Sequence, residues 1–426
     1  MKTNLIIFHP PCIDYNVSKE VLSQYDFLKN AKYILEKNNI NLIYFYELLP
    51  PEHSTKYYDM EENFKYNDND RTLINIYYKD VIYVRNLILE SKFYENSILH
   101  IFEIISSWSL RPDNGLENMD IELYNKYNKM NIRQIFSCYD FHAFYINYYK
   151  QKHNLYNEKI EKITNHKLLK LPIEIQAKNI NNMWFDYNIL LISPTVKYIE
   201  NIKSKYAEKT EFIPFSYNTN NKKIFELQDF DNYFSRERKI LMSGSCSVYK
   251  HRKLITFIKQ NKEQVYLQAN VINLNQREEF SNIIEIMPYE IYNRTNTKYN
   301  EERGIRYLRT LSKYMGAFMC FGDFPLDFHL CKLWEMMLSG CLAFIEPKDM
   351  LQIDLGLIPY IHYVPMLIDE NNKLIIDMKH YNKYLGTEEG LKIAKQGFEY
   401  IRDNFTDEKV AEKYIKILKR RNILKY

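Results

Sequence analysis

Two acidic residues, Asp327 and Glu335, flank the start of a predicted helix in the second half of the chain. The first backbone N–H groups of a helix have no helical partner, and the helix dipole places partial positive charge beside them. An anion therefore binds readily at such a place. We predict a phosphate site in residues 323–330, with Glu335 two turns into the helix and the ligand held by the backbone N–H groups of Phe328, His329 and Leu330.

Basic residues follow an earlier predicted strand of the same half. Lys250 and Arg252 come after strand 239–242 and a short loop that contains Gly244 and Ser245. Positive charge beside a departing phosphate stabilises it, whereas a basic residue at a helix start gains nothing from the helix dipole. Lys250 and Arg252 are therefore candidates for phosphate binding, and Gly244 is expected to permit the turn.

A strand, a helix and a second strand are predicted to position Glu335. Residues 317–321 and 341–345 are apolar runs, and Gly340 falls where a left-handed helix stop is expected. The helix between them has an apolar face formed by Leu330, Leu333, Trp334, Met337 and Leu338. Its polar face is formed by Lys332, Glu335 and Ser339. This order predicts a right-handed βαβ unit, in which ligands bind beyond the carboxyl ends of the strands.

The same alternation of strands and helices recurs along the chain and predicts parallel sheets covered by helices. A chain of 426 residues also exceeds the size at which one hydrophobic core keeps growing. We predict two doubly wound, Rossmann-like α/β lobes that face a central cleft. The predicted parts are a first lobe, a linker, a second lobe and a helix returning to the first lobe, at 1–218, 219–238, 239–400 and 401–426.

Secondary structure is predicted from the apolar periodicity. The expected strands are 4–8, 41–46, 98–104, 132–138, 187–192 and 212–215 in the first half, and 239–242, 264–269, 283–287, 317–321 and 341–345 in the second. The expected helices include 18–38, 73–89, 301–315 and 388–419, the last with a break at 404–406.

Composition excludes several classes of partner. The 58 basic and 54 acidic residues leave a net charge of +4, so no nucleic-acid partner is indicated. The six cysteines form no CxxC pair and lie mostly in or beside apolar runs, which predicts reduced thiols and no metal site. No run of about 18 apolar residues occurs, so we expect no transmembrane segment. We expect a cytoplasmic protein, in the host cytoplasm if the source is viral.

Five blocks of the sequence resemble a known family in their order and spacing. In chain order they are YNILLISPTVKYIENIKSKYAEKTEFIPFSYN (187–218), KILMSGSCSVYKHRKLI (239–255), KLWEMMLSGCLAFIEP (332–347), LGLIPYIHYVP (355–365) and the helical tail from Gly390. These blocks are similar to those of GT-B glycosyltransferases, in particular the group 1, family-4-like retaining enzymes and their relatives in large DNA viruses and bacteria.

The resemblance implies an enzyme that moves a sugar from a nucleotide-diphosphate sugar to a hydroxyl of a glycan or glycoconjugate, with retention and without a metal or other cofactor. Glu335 occupies the second place of the family's glutamate pair, where it would accept the ribose hydroxyls. Asp327, eight positions earlier, occupies the first place and would contact the sugar. Of the family's diphosphate-binding pair, Lys250 fits the Lys and Ser245 stands in the place of the Arg; Arg252 or Lys332 would substitute for it.

On the acceptor side, the resemblance implies a catalytic His142, which follows a predicted strand end. His9 and Glu103, also at strand ends, are further acceptor-side candidates, and Tyr289 is a candidate to border the nucleotide base. Peripheral contact with a membrane surface stays open.

Each role also has a structural alternative. Glu335 fits an i,i+3 surface pair with Lys332, Asp327 fits a residue near a helix cap or an ordinary loop carboxylate, and His142 fits a structural histidine. Asp68-Asn69-Asp70 formally matches a metal-binding DxD motif but lies in a polar run typical of a solvated loop.

Two other functions stay open as well. A nucleotide-sugar epimerase has this architecture and would act without an acceptor. A degenerate glycosyltransferase would bind glycans or serve as an assembly subunit. Ser245 in the place of an Arg, and His9-Pro10-Pro11 in the place of the family's Gly-rich turn, favour this last alternative.

Overall fold

A computed structural model describes most of the second half of the chain and, in the first half, chiefly the strands. The described residues are 3–9, 27–48, 73–77, 97–102, 133–137, 189–193, 210–217, 219, 224, 228–242, 277–286, 303–321, 331–370 and 374–424. The chain folds as two compact units. Unit 1 comprises Met1–Pro11, Lys32–Ile213 and Lys413–Tyr426, and unit 2 comprises Cys12–Ala31 and Pro214–Glu412.

Unit 1 contains a seven-stranded parallel sheet in the order β3-β2-β1-β4-β5-β6-β7. Strand addition changes direction between β1 and β4, which makes this pair the switch point at which open α/β sheets bind ligands. Leu5 and Ile7 of β1 are fully buried, as expected for a central strand. The strands are β1 (Thr3–His9), β2 (Ile40–Leu48), β3 (Leu73–Tyr77), β4 (Ser97–Phe102), β5 (Arg133–Ser137), β6 (Ile189–Ser193) and β7 (Thr210–Phe212).

Unit 2 contains a five-stranded parallel sheet in the order β12-β11-β10-β8-β9. Its switch point lies between β8 and β10, as in the other common doubly wound order. A short antiparallel pair, β13 (Leu367–Ile368) with β14 (Leu374–Ile375), follows the sheet. The sheet strands are β8 (Glu237–Met242), β9 (Ile284–Ile286), β10 (Tyr314–Met319), β11 (Leu342–Ile345) and β12 (Val364–Pro365).

The described helices carry the apolar residues that cover these sheets. In unit 2 the rings of Phe318, Phe344 and Tyr381 pack edge to face, with centroids 5.4 to 5.8 Å apart, so that one helix closes the face formed by two strands. The helices are α1 (Phe27–Asn30), α2 (Lys32–Lys37), α3 (Arg277–Ile283), α4 (Arg303–Leu311), α5 (Cys331–Leu338), α6 (Asp349–Ile353), α7 (Met378–Tyr384), α8 (Glu388–Asn404) and α9 (Asp407–Arg420).

The break between α8 and α9 is held by hydrogen bonds to residues far away in the sequence. Asp407 in the first turn of α9 is fully buried, and its carboxylate accepts hydrogen bonds from the Ser216 hydroxyl at 2.6 Å and the Asn30 side-chain amide at 2.9 Å. The backbone N–H of Tyr217 donates to the Phe405 carbonyl at 3.0 Å. Helix α9 thus begins in unit 2, and its last residues belong to unit 1.

The structure confirms the predicted fold class, because both units are α/β and both sheets have doubly wound strand orders. The predicted tail of two helices with a break at 404–406 is confirmed by α8 and α9. Gly340 has the expected positive φ of 74°. The helix predicted at 73–89 is wrong over Leu73–Tyr77, which is strand β3, and the helix predicted at 301–315 is wrong at its end, which belongs to β10. The strand predicted at 264–269 lies outside the described residues.

Candidate functional site

The strands of the second sheet end together at one edge. Met242 of β8 lies opposite Ile286 of β9 and Phe318 of β10, and Met319 of β10 lies opposite Ile345 of β11. Because all these strands are parallel, the segments that follow them leave from the same edge. The switch point between β8 and β10 lies in the middle of it.

The predicted donor-binding residues follow these strand ends in the chain. Gly244, Ser245, Lys250 and Arg252 come after β8, Tyr289 comes after β9, and Asp327, Phe328, His329 and Leu330 come between β10 and α5. All of them lie outside the described residues. The structure describes the strands β8, β9 and β10 that precede these segments, and the helix α5 that follows the last of them.

Glu335 lies in α5 and is buried, with only 8% of its surface exposed. The periodicity placed it on a polar face opposite Leu333 and Met337, yet Met336 and Ser339 are also fully buried, so α5 is covered almost all round. Glu335 therefore does not lie on the exposed face that the pattern predicted, and its role in binding ribose hydroxyls stays a prediction.

Helix α5 is held in place by contacts far away in sequence. The Trp334 indole N–H donates to the Phe215 carbonyl at 2.7 Å, and the Trp334 ring lies 4.5 Å from that of Phe405. Gly397 of α8 lets that helix approach Met337 closely. These contacts fix the position of α5, which carries Glu335, relative to α8 and to Phe215.

A second buried carboxylate, Glu346, lies directly after β11 and was not predicted. It is 1% exposed, and one of its side-chain oxygens accepts the backbone N–H of Phe321 at 2.9 Å. The other oxygen lies 3.8 Å from the Lys348 ammonium group. The rule that selected His9 and Glu103, a polar residue at the carboxyl end of a buried strand, also selects Glu346.

In unit 1 the first-half candidates follow neighbouring strands. His9 is the last residue of β1, Glu103 comes directly after β4, and His142 comes five positions after the end of β5. The three strands are adjacent and parallel, with Phe8 opposite Ile101 and Phe102 opposite Ser137. Glu103 and His142 lie outside the described residues.

No group of three or more His, Cys, Asp or Glu side chains in the described part of the chain could hold a metal ion. No described helix is both long and apolar enough to cross a membrane.

The structure is similar to solved structures of glycosyltransferases. One from Rickettsia africae is 14% identical over 99% of this chain and 98% of its own, with a TM-score of 0.49. An α-glucosyltransferase solved with UDP-glucose and DNA containing an abasic site is 11% identical over 98% of this chain and 100% of its own, with a TM-score of 0.45. WaaG, a glycosyltransferase involved in lipopolysaccharide biosynthesis, is 9% identical over 97% of this chain and 99% of its own, with a TM-score of 0.45.

No protein-family model and no curated protein matches the sequence. Because the identities are 14% or lower and the TM-scores are below 0.5, no conclusion about activity follows from these similarities.

Proposed function

We propose that the chain is a glycosyltransferase that moves a sugar from a nucleotide-diphosphate sugar to an acceptor hydroxyl of a glycan, with retention and without a metal ion. Unit 2 binds the donor and unit 1 binds the acceptor. The proposal combines the family resemblance of the sequence blocks with the strand topology of the described frame.

One observation carries the proposal. The three segments chosen from the sequence as donor-binding all follow adjacent strands, β9, β8 and β10, which end in register on both sides of a topological switch point. Open α/β sheets bind their ligands at this place. Every loop that follows a strand of a parallel sheet leaves from this edge, and these three follow the two strands at the switch point and the strand next to them.

The chemistry proposed for this edge is electrostatic. The bond between the anomeric carbon and the diphosphate breaks, the acceptor oxygen bonds to that carbon, and the acceptor proton leaves with the nucleoside diphosphate. Lys250, Arg252 and the backbone N–H groups before α5 offset the charge that develops on the leaving diphosphate.

The remaining roles are in binding. Glu335 accepts the two ribose hydroxyls of the donor and Asp327 accepts a hydroxyl of the transferred sugar. His142 positions the acceptor. His9 at the end of β1 and Glu103 directly after β4 act on the same acceptor side. Tyr289 borders the base.

The test is a screen for hydrolysis of UDP-, GDP- and dTDP-sugars by the wild type and by Glu335→Ala. Two hydrogen bonds to a charged group are each worth about 1.5–3 kcal/mol, so we expect kcat/KM to fall by about 100-fold or more in the variant. The matched control is Glu412→Ala, which removes an exposed carboxylate from α9 and leaves hydrolysis unchanged.

Three outcomes contradict the proposal. They are a wild type that neither hydrolyses nor binds any donor by calorimetry, a Glu335→Ala variant as active as the wild type, and a product that is an epimerised nucleotide sugar. The last would assign the chain to the epimerases.

A further inference from the structure

We propose that Glu346 is a positioning residue that fixes the point at which the donor-binding segment leaves the sheet. This inference rests on the proposed function and adds a residue to it. It acts through the backbone of Phe321, whose N–H its side chain accepts.

The geometry of the strand ends supports this role. The ladder between β10 and β11 ends at the pair Met319 and Ile345. The backbone N–H of Glu346 then donates to the Met319 carbonyl at 2.9 Å, and the Glu346 side chain turns towards β10 to accept the N–H of Phe321, also at 2.9 Å. Cys320 and Phe321 are 1% and 2% exposed. The Glu346 side chain therefore holds the backbone two residues beyond Met319, the last residue of β10 that pairs with β11.

A carboxylate at this place is costly, which makes its presence informative. At 1% exposure Glu346 has lost nearly all contact with water, and only paired or hydrogen-bonded charges are tolerated in such surroundings. It has the Phe321 N–H at hydrogen-bond distance and the Lys348 ammonium at 3.8 Å. Without it, the buried N–H of Phe321 would lose its acceptor.

The chain is thus held in place on both sides of the segment that begins at Gly322. Its first end follows Phe321, which Glu346 holds, and its last end precedes α5, which the hydrogen bond from Trp334 to Phe215 holds. The predicted diphosphate and sugar contacts, Asp327 to Leu330, lie between these two anchors in the chain. A shift of about 1 Å in a binding group can cost about 100-fold in rate, so the anchor at Phe321 governs donor use.

Two variants separate the hydrogen bond from the charge. Glu346→Gln keeps an oxygen that can accept the Phe321 N–H, whereas Glu346→Leu keeps the size of the side chain and removes the acceptor. We expect Glu346→Leu to lower kcat/KM for the donor by about 10- to 100-fold, through a higher donor KM, and Glu346→Gln to recover most of it. A loss of folded protein would instead lower the apparent kcat and leave the donor KM unchanged.

The control is Glu211→Gln, which alters another buried carboxylate, in unit 1, that pairs with Arg420 and Arg421. We expect it to lower thermal stability and leave the donor KM at the wild-type value. Hydrogen–deuterium exchange of the ligand-free protein provides a second readout that needs no activity. Exchange at the peptide containing Phe321 should rise in Glu346→Leu and stay near the wild-type rate in Glu346→Gln.

The outcomes distinguish this inference from the proposed function. If the wild type uses a donor but Glu346→Leu changes neither the donor KM nor the exchange at Phe321, the positioning role is wrong and the proposed function stands. If Glu346→Gln is impaired as much as Glu346→Leu, the hydrogen bond is not the cause and the inference is likewise wrong. If the wild type uses no donor, the proposed function is wrong, and so is the role of Glu346 in donor use. Faster exchange at Phe321 in Glu346→Leu would then show only that Glu346 stabilises the backbone at Phe321.

Discussion

Glu335 in α5 and Glu346 directly after β11 are both buried carboxylates, but only Glu335 was predicted from the sequence. Glu335 was found because it lies in a block that resembles glycosyltransferases and because a helix start precedes it. Its burial was not predicted, since α8, which packs against α5, lies more than fifty residues later in the chain. Glu346 directly follows the predicted strand 341–345, but its hydrogen bond to Phe321 depends on the pairing of β10 with β11. Side-chain partners set by tertiary pairing cannot be derived from local pattern.

At the same scale, His362 makes stability depend on pH. Its Nδ1 accepts the backbone N–H of Ile358 at 3.0 Å, its ring stacks on Tyr400 at 4.3 Å, and burial lowers its pKa. Because the pKa in the folded protein lies below the unfolded value of about 6.5, the stabilisation is complete above that value and is lost as the pH falls through the folded pKa.

We therefore expect the free energy of unfolding to fall as the pH is lowered below about 6.5, and to fall less in His362→Asn. Asparagine retains an acceptor for the Ile358 N–H but does not titrate. Urea unfolding at several pH values measures the difference, and parallel curves for the two proteins would contradict this role of His362. His380, whose pKa burial also lowers, is present in both proteins and cancels.

At the scale of elements, the sequence predicts most of the described helices and strands, but it can assign the wrong type to a short apolar run. The alternation of apolar faces predicted α8, α9 and most sheet strands to within a few residues. Leu73–Tyr77, with the sequence LINIY, was predicted to open a helix but forms β3 at one edge of the first sheet. Apolar periodicity does not separate a helix from a strand over five residues, and pairing with β2 decides the outcome.

Close packing of α8 against its neighbours yields a prediction at this scale. A Cβ added at Gly397 would collide with the His362 carbonyl oxygen and lie 2.8 Å from the Met337 methyl group. Alanine is favoured over glycine inside a helix by about 1 kcal/mol, but here overpacking should prevail. We expect Gly397→Ala to destabilise the protein by about 1–3 kcal/mol.

Thermal or urea unfolding measures this change. Lys395→Ala, at an exposed position two residues earlier in the same helix, is the matched control and should have little effect. A Gly397→Ala protein more stable than the wild type would show that α8 does not approach α5 as closely as described.

At the scale of the whole molecule, the chain consists of two units with different sheet orders, and its last helix begins in one unit and ends in the other. The two-unit organisation could be predicted from length and from the restart of the strand–helix pattern. The assignment of Cys12–Ala31 to unit 2 could not, because it depends on contacts such as that of Asn30 with Asp407, which are 377 residues apart.

The end of α9 is tied to unit 1 by a charge cluster. The carboxylate of Glu211, 5% exposed, binds the Arg420 guanidinium at 2.5 Å and that of Arg421 at 2.6 Å. Removing one partner of a buried, charge-assisted hydrogen bond costs about 1–3 kcal/mol. We expect Arg421→Ala to destabilise the protein by this amount and Arg420→Ala by less, since the Arg420 side chain is 65% exposed.

A double-mutant cycle with Glu211→Gln measures the coupling of each arginine to Glu211. Equal and near-zero coupling energies would mean that the pairs do not hold α9. A larger coupling for Arg421 than for Arg420 is the expected result.

We propose that a nucleotide-diphosphate sugar binds at the edge of the second sheet where β8 and β10 end. Hydrogen–deuterium exchange with and without a saturating donor tests this binding site most directly. We predict slower exchange in peptides covering 243–252 and 322–335 when the donor is present, and a smaller effect in Glu335→Ala at the same donor concentration. Protection confined to peptides of unit 1, or binding of the donor with no protection after β8 and β10, would contradict the claim.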